Sequence, residues 1–133
     1  MAQATVFTNA RLIDGLSASA RTGVSILVEG ERISQVAEGP IAAAGARVVD
    51  LAGKTVLPGL IDTHTHTVMM DAECFPLFLA AGVTTARDVG GRLDLVLQNR
   101  ADLNSGKKLG PRLFVCGPLL DGPLAVAGAD RSF

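Results

Sequence analysis

The sequence predicts an α/β protein in which a small N-terminal β unit precedes parallel strands joined through helices. Three observations carry that expectation. Residues 1–57 break into short apolar and β-branched runs separated by Gly- and Pro-containing turns, with no helical period. From Pro58 onward, strand-like runs alternate with helical spacing in the order β-α-β-α-β, and parallel strands require crossovers of that kind. The 133 residues match one ordinary domain in size, and 48% apolar residues are ample for a buried core, which excludes disorder.

Thr5 to Ile13 is the first strand candidate and stops at Asp14-Gly15. Val24 to Val28 and Arg32 to Val36 flank Glu29-Gly30-Glu31, a hairpin signal. Ala46 to Leu51 and Thr55 to Leu57 lie on either side of Gly53-Lys54, so residues 1–57 are expected to form a small antiparallel, β-sandwich-like domain. Residues 58–133 then hold the α/β part. Leu60 to Thr67 is its first strand. Asp71 to Ala81 has helical composition, with Phe75, Phe78 and Leu79 spaced by three and four, Asp71 as N-cap and Gly82 as the stop. Val83 to Val89 is the second strand, ended by Gly90-Gly91. Arg92 to Leu103 is an amphipathic helix, and Leu113 to Cys116, entered through Gly110-Pro111, is the third strand. The Gly-, Pro- and Ala-rich stretch from Gly117 to Phe133 shows no period.

Twelve basic and thirteen acidic residues, for a net charge of −1, are spread along the chain without a block of one sign. Nothing in that pattern suits a nucleic-acid groove or an anionic membrane surface. The N-terminus lacks a basic start and apolar core, and the longest apolar stretch is about half of the ~20 residues a bilayer demands. Two distant cysteines, Cys74 and Cys116, make no disulfide framework and no CxxC pair, and they read as buried thiols in a reducing compartment. A cytoplasmic protein is expected.

The chemistry concentrates in Val56-Leu57-Pro58-Gly59-Leu60-Ile61-Asp62-Thr63-His64-Thr65-His66, which contains both histidines of the chain. Side chains alternate faces along a strand, so Leu60, Asp62, His64 and His66 share one face, and Ile61, Thr63 and Thr65 the other. A buried parallel strand is ordinarily apolar on both faces, so three ionisable groups at one end of one face call for an explanation. The C-terminal ends of parallel strands are where ligands and metals collect. Two imidazoles there can share a divalent ion such as zinc, with Asp62 orienting one of them. A single histidine is more often a satisfied core or surface residue; the pair, preceded by Pro-Gly-Leu-Ile-Asp, reverses that weighing.

These residues resemble a known family. Pro58 to His66 is similar to the first barrel strand of the amidohydrolase superfamily, which carries an HxH pair there, and residues 1–57 match its small N-terminal β domain. Ala80-Ala81-Gly82-Val83-Thr84-Thr85-Ala86-Arg87-Asp88-Val89-Gly90-Gly91 resembles the second strand of the imidazolonepropionase-like and prolidase-like branch, and Gly110-Pro111-Arg112-Leu113 the entry to its third. The resemblance implies a small β domain followed by the first three βα units of an incomplete TIM-like (β/α)8 barrel. It also implies hydrolysis of an amide, peptide-like or cyclic C–N bond by metal-activated water, with one or two divalent ions, most commonly zinc. The substrate class would be a small molecule or a dipeptide-like compound. His64 and His66 are the metal ligands it carries over, and no catalytic residue is assigned. The family's later lysine, histidines and aspartate have no counterpart, since a complete barrel takes roughly 250 residues, and Lys107 and Lys108 precede the third strand. The chain alone is therefore expected to be inactive, with open barrel edges that favour oligomers. A dihydroorotase- or hydantoinase-like cyclic amidase is the alternative enzyme, and a non-catalytic remnant or interaction module the alternative of another class.

Other residues have plainer roles. Arg87 and Asp88 end the second strand, where substrate contact competes with a structural role, an ion pair or a cap at the Gly90-Gly91 turn, and the structural role is preferred. Asp121-Gly122-Pro123 is turn chemistry.

Overall fold

The structure is a computed structural model, and it describes residues 4–69 and 74–119. The chain divides into two compact units, Met1–Pro58 and Gly59–Phe133.

The first unit is built on one five-stranded sheet. Strands β1 (Thr5–Leu12), β2 (Arg21–Glu29) and β3 (Arg32–Glu38) pair antiparallel in sequence, and β4 (Arg47–Asp50) and β5 (Thr55–Val56) both pair with β1 in parallel. The β2–β3 hairpin turns through Gly30 and Glu31, and Gly30 takes the positive φ of 60° that a tight hairpin demands. An all-antiparallel unit was the sequence expectation, and the parallel pairs correct it. They centre on Asn9 and its partners some forty residues further on. Asn9 sits at φ 55°, a region Asn tolerates, and interrupts β1. Its Nδ2 donates to Asp50 Oδ1 at 2.9 Å, and its carbonyl accepts from Gly53 N–H at 2.8 Å. Residues 5–8 thus pair with β4, and after the kink Arg11 and Leu12 pair with Thr55 and Val56. Ala10, Leu12, Val24 and Ile26 form the core, with Phe7, Val28, Leu51 and Val56 packed around it.

The second unit holds three parallel strands in sequential order: β6 (Leu60–Thr65), β7 (Val83–Asp88) and β8 (Arg112–Val115). Helix α1 (Cys74–Ala80) connects the first two and α2 (Leu93–Asn104) the last two. This is the predicted β-α-β-α-β order, and the class is α/β. Gly82 stops α1 as expected: it adopts φ 81° and its N–H reaches the Leu79 carbonyl. Asp71, the expected N-cap, and Asp121-Gly122-Pro123 lie outside the described residues. Phe75, Ala86 and Leu113 form the core, joined by Phe78, Leu103 and Val115. Gly110 is more than punctuation, because a Cβ there would overlap Leu103 and Phe75. On α2, Val96 is buried but Leu93 and Leu97 are exposed, so its apolar stripe is only partly covered. Cys74 is half-buried and Cys116 exposed, which corrects the expectation of two buried thiols; neither is in a disulfide. Among the described residues, no helix is long and apolar enough to cross a membrane.

Candidate metal centre

Because β6, β7 and β8 run parallel, Thr65, Asp88 and Val115 end at the same edge of the sheet. His64 is the penultimate residue of β6, and His66 follows its end. A one-turn 3-10 helix, Thr67–Met69, then closes with the Met69 N–H on the His66 carbonyl at 3.0 Å. The two rings approach edge to face, with centroids 5.4 Å apart and planes at 74°. The structure thus brings together the two residues the sequence pairs.

Alternation is imperfect on the way there. Asp62 aligns with Ala86 and Thr65 with Asp88, so β6 carries one more residue than β7 across that interval. The bulge leaves the Thr63 carbonyl to Arg87, whose Nε donates to it at 2.9 Å. It also changes the role expected of Asp62, whose Oδ1 accepts from the backbone N–H of His64 at 3.0 Å instead of from a ring. That contact fixes the backbone that carries the histidine.

His66 is oriented by main chain. Its Nδ1 lies 3.1 Å from the carbonyl oxygen of Gly90. A carbonyl only accepts, so Nδ1 is the donor of this bond, and in a neutral ring Nε2 is the nitrogen left with a lone pair. The approach depends on the two glycines after β7: a Cβ on Gly90 would overlap Leu119, and one on Gly91 would overlap Val68.

Asp88 lies behind this arrangement and is fully buried. Its Oδ2 accepts from both the N–H and the hydroxyl of Thr67, each at 2.6 Å, and its Oδ1 accepts from Gly90 N–H at 3.0 Å. Of the two structural roles expected at the Gly90-Gly91 turn, Asp88 takes the cap. The bonds to Thr67 have no local signal; an aspartate two residues before a Gly-Gly turn signals the cap but gives no sign of a partner twenty-one positions upstream. Lys107 and Lys108 lie elsewhere, paired with Asp102 at 3.1 and 3.5 Å. Lys107 chiefly, with Gln98 and Lys108, holds the Asp102 carboxyl below its ordinary pKa against the opposing effect of burial.

Two neighbouring imidazoles are nitrogen donors of the kind that could hold a divalent ion. Among the described residues, no three His, Cys, Asp or Glu side chains form a group able to hold one. Catalytic zinc normally has three protein ligands and an open position, one ligand more than the two histidines could provide.

No protein-family model matches the chain. The imidazolonepropionase of Symbiobacterium thermophilum is 32% identical over 99 residues, which is 70% of this chain and 22% of that protein. The dihydroorotase of Geobacter sulfurreducens is 54% identical over 43 residues, 32% of this chain and 10% of that protein. Among solved structures, a Xaa-Pro dipeptidase with methionine bound in its active site superposes with a TM-score of 0.77 at 30% identity, covering 86% of this chain and 33% of that one. The chain spans a third or less of the length of each of these relatives.

Proposed function

We propose, from the premise that this chain belongs to the amidohydrolase superfamily, that it supplies the N-terminal β domain, the first three barrel strands and the first two metal ligands of a hydrolase acting on a C–N bond. The observation that carries this reading is the His64–His66 pair at the C-terminal end of the first parallel strand, with rings 5.4 Å apart. The exposure of β6 supports it as well. Leu60 and Ile61 are 50% and 66% exposed, whereas a parallel strand is ordinarily covered on both faces, as further strands of a barrel would cover it.

His64 and His66 would hold the ion, which we take to be zinc. A divalent metal held there would supply Lewis-acid chemistry, lowering the pKa of a water bound to it and polarising the scissile carbonyl. The contributions of this chain are positional. Gly90 orients His66 through Nδ1, and Asp62 and Arg87 both hold the Thr63–His64 peptide, one through its N–H and the other through its carbonyl. No general acid or base is assigned, and the chain alone is expected to be inactive.

The substrate class follows from the relatives. A Xaa-Pro dipeptidase and a prolidase complexed with N-methylphosphonate-L-proline, at 30% and 25% identity, favour a dipeptide-like substrate. A cyclic amidase is the second reading, favoured by the 54% identity with a dihydroorotase. A cytoplasmic setting and self-association through uncovered strand edges complete the proposal.

Competition with a chromophoric chelator tests it. The chain should bind one zinc weakly, and the His64→Gln/His66→Gln double variant should bind none; unchanged zinc binding in that variant overturns the reading.

A further inference from the structure

Asp88 is 0% exposed, and among the described residues no ion pair reaches it. Burying a carboxylate without a counter-charge is costly unless every lone pair that matters is satisfied by donors. Here three donors do so, and their identities are informative. Two belong to Thr67, the residue directly after His66. The third belongs to Gly90, the residue whose carbonyl takes the His66 Nδ1. Pairing of β6 with β7 does not depend on these contacts, because Val89 N–H reaches the Thr65 carbonyl at 3.0 Å and Thr65 Oγ1 reaches the Arg87 carbonyl at 3.1 Å. The Asp88 carbonyl is also engaged, by Cys116 N–H at 3.0 Å, which fixes its backbone on the β8 side.

We infer that Asp88 is the positioning residue of His66. One carboxylate oxygen grips the chain just after the imidazole, and the other grips the residue whose carbonyl the imidazole binds. The distance between Nδ1 and its acceptor is therefore set by a single rigid group. This deepens the proposed function and rests on the reading of His66 as a ligand: an Nδ1–H tautomer locked in advance leaves Nε2 ready for a metal. Asp88 touches neither metal nor substrate in this scheme. His64 stands outside it, since its backbone N–H is bonded to Asp62.

The chemistry predicts an asymmetric response to Asp88→Asn. All three partners of Asp88 are or can be donors, and an amide presents an acceptor on one side and a donor on the other. The variant keeps the shape but must give up either the Gly90 N–H bond or the Thr67 N–H bond, since neither backbone donor can face the amide nitrogen.

The test uses the whole 133-residue chain, labelled with nitrogen-15, with the two histidines read by two-bond proton–nitrogen correlation at a pH where both are neutral. In the parent chain His66 should be predominantly the Nδ1–H tautomer. In Asp88→Asn that preference should fall roughly fivefold, the equivalent of about one neutral hydrogen bond, while His64 is unchanged. A purely structural Asp88 would lower the unfolding midpoint and leave the His66 tautomer ratio as it was, and that result overturns the inference. If Asp88→Asn does not fold, Thr67→Val, which removes only the hydroxyl donor, should shift the ratio in the same direction and Thr67→Ser should restore it. An unmoved ratio in Thr67→Val also overturns the inference. Cobalt(II) added to the parent chain separates this inference from the reading beneath it. Cobalt that broadens both histidines, together with an unmoved tautomer, removes the positioning role alone. Cobalt that broadens neither, together with a shifted tautomer, removes the ligand reading alone.

Discussion

Arg87 Nε donates to the Thr63 carbonyl at 2.9 Å, across the place where β6 carries one residue more than β7. The side chain of one strand thus completes a ladder that the backbone of the other leaves open. Arg87→Met should cost about 0.5–1 kcal/mol, the net worth of a single exposed hydrogen bond. It should also raise amide exchange at His64 and Thr65 more than in β8. Uniform exchange across the sheet would show that the bulge is held without the arginine.

Phe75 is fully buried and anchors the core of the second unit with Ala86 and Leu113. Phe75→Ala should destabilise this unit by about 3 kcal/mol, the lower end for loss of a buried aromatic ring. Urea unfolding of the variant would check the loss, and a change below about 1 kcal/mol would mean the cavity collapses freely.

Two glycines should respond to alanine for different reasons. At Gly91 the new Cβ overlaps Val68, next to the His66 turn, and comes close to Val96. Overpacking of that kind costs about 1–3 kcal/mol, and the His66 ring resonances should move with it. Gly106, at φ 73°, has open space around it. There the cost should be about 1 kcal/mol from the backbone alone, with the His66 resonances in place. Equal movement of His66 in both variants would contradict the contrast.

Acid stability should depend on Asp14. Backbone N–H groups of Ser17 and Leu16, assisted by Arg21, lower its carboxyl from an ordinary 3.8 to about 2. The folded value lies below the unfolded one, so the stabilisation is complete above the unfolded pKa and is lost as pH falls from about 4 towards 2. Asp14→Asn should therefore show a shallower fall in unfolding free energy across that window. Parallel curves for parent and variant would refute the assignment.

Legibility from sequence followed the range of the interactions. The hairpin at Gly30, the Gly82 stop and the HxH spacing are set within a few residues and could be read directly. The parallel docking of β4 and β5 on β1 could not, because it depends on Asn9 meeting Asp50 and Gly53 across the length of the unit. The site divided in the same way. Alternation along β6 brought His64 and His66 together, but the bulge that turns Asp62 onto the backbone depends on the β7 register. The Thr67–Asp88 and His66–Gly90 bonds span a whole βαβ crossover and leave no local pattern to read.

The central place of β1 has a consequence for synthesis. This strand is made before its partners, yet its second edge is covered only by residues 47–50 and then 55–56. A ribosome-bound chain can form the β2–β3 hairpin early, while β1 waits with one side bare until Val56 has cleared the exit tunnel. High contact order of this kind slows folding, and the exposed flank in the interval is a ready point for proteases or for pairing between neighbouring nascent chains. The last strand of the unit to emerge is only two residues long, and it decides when the first is protected.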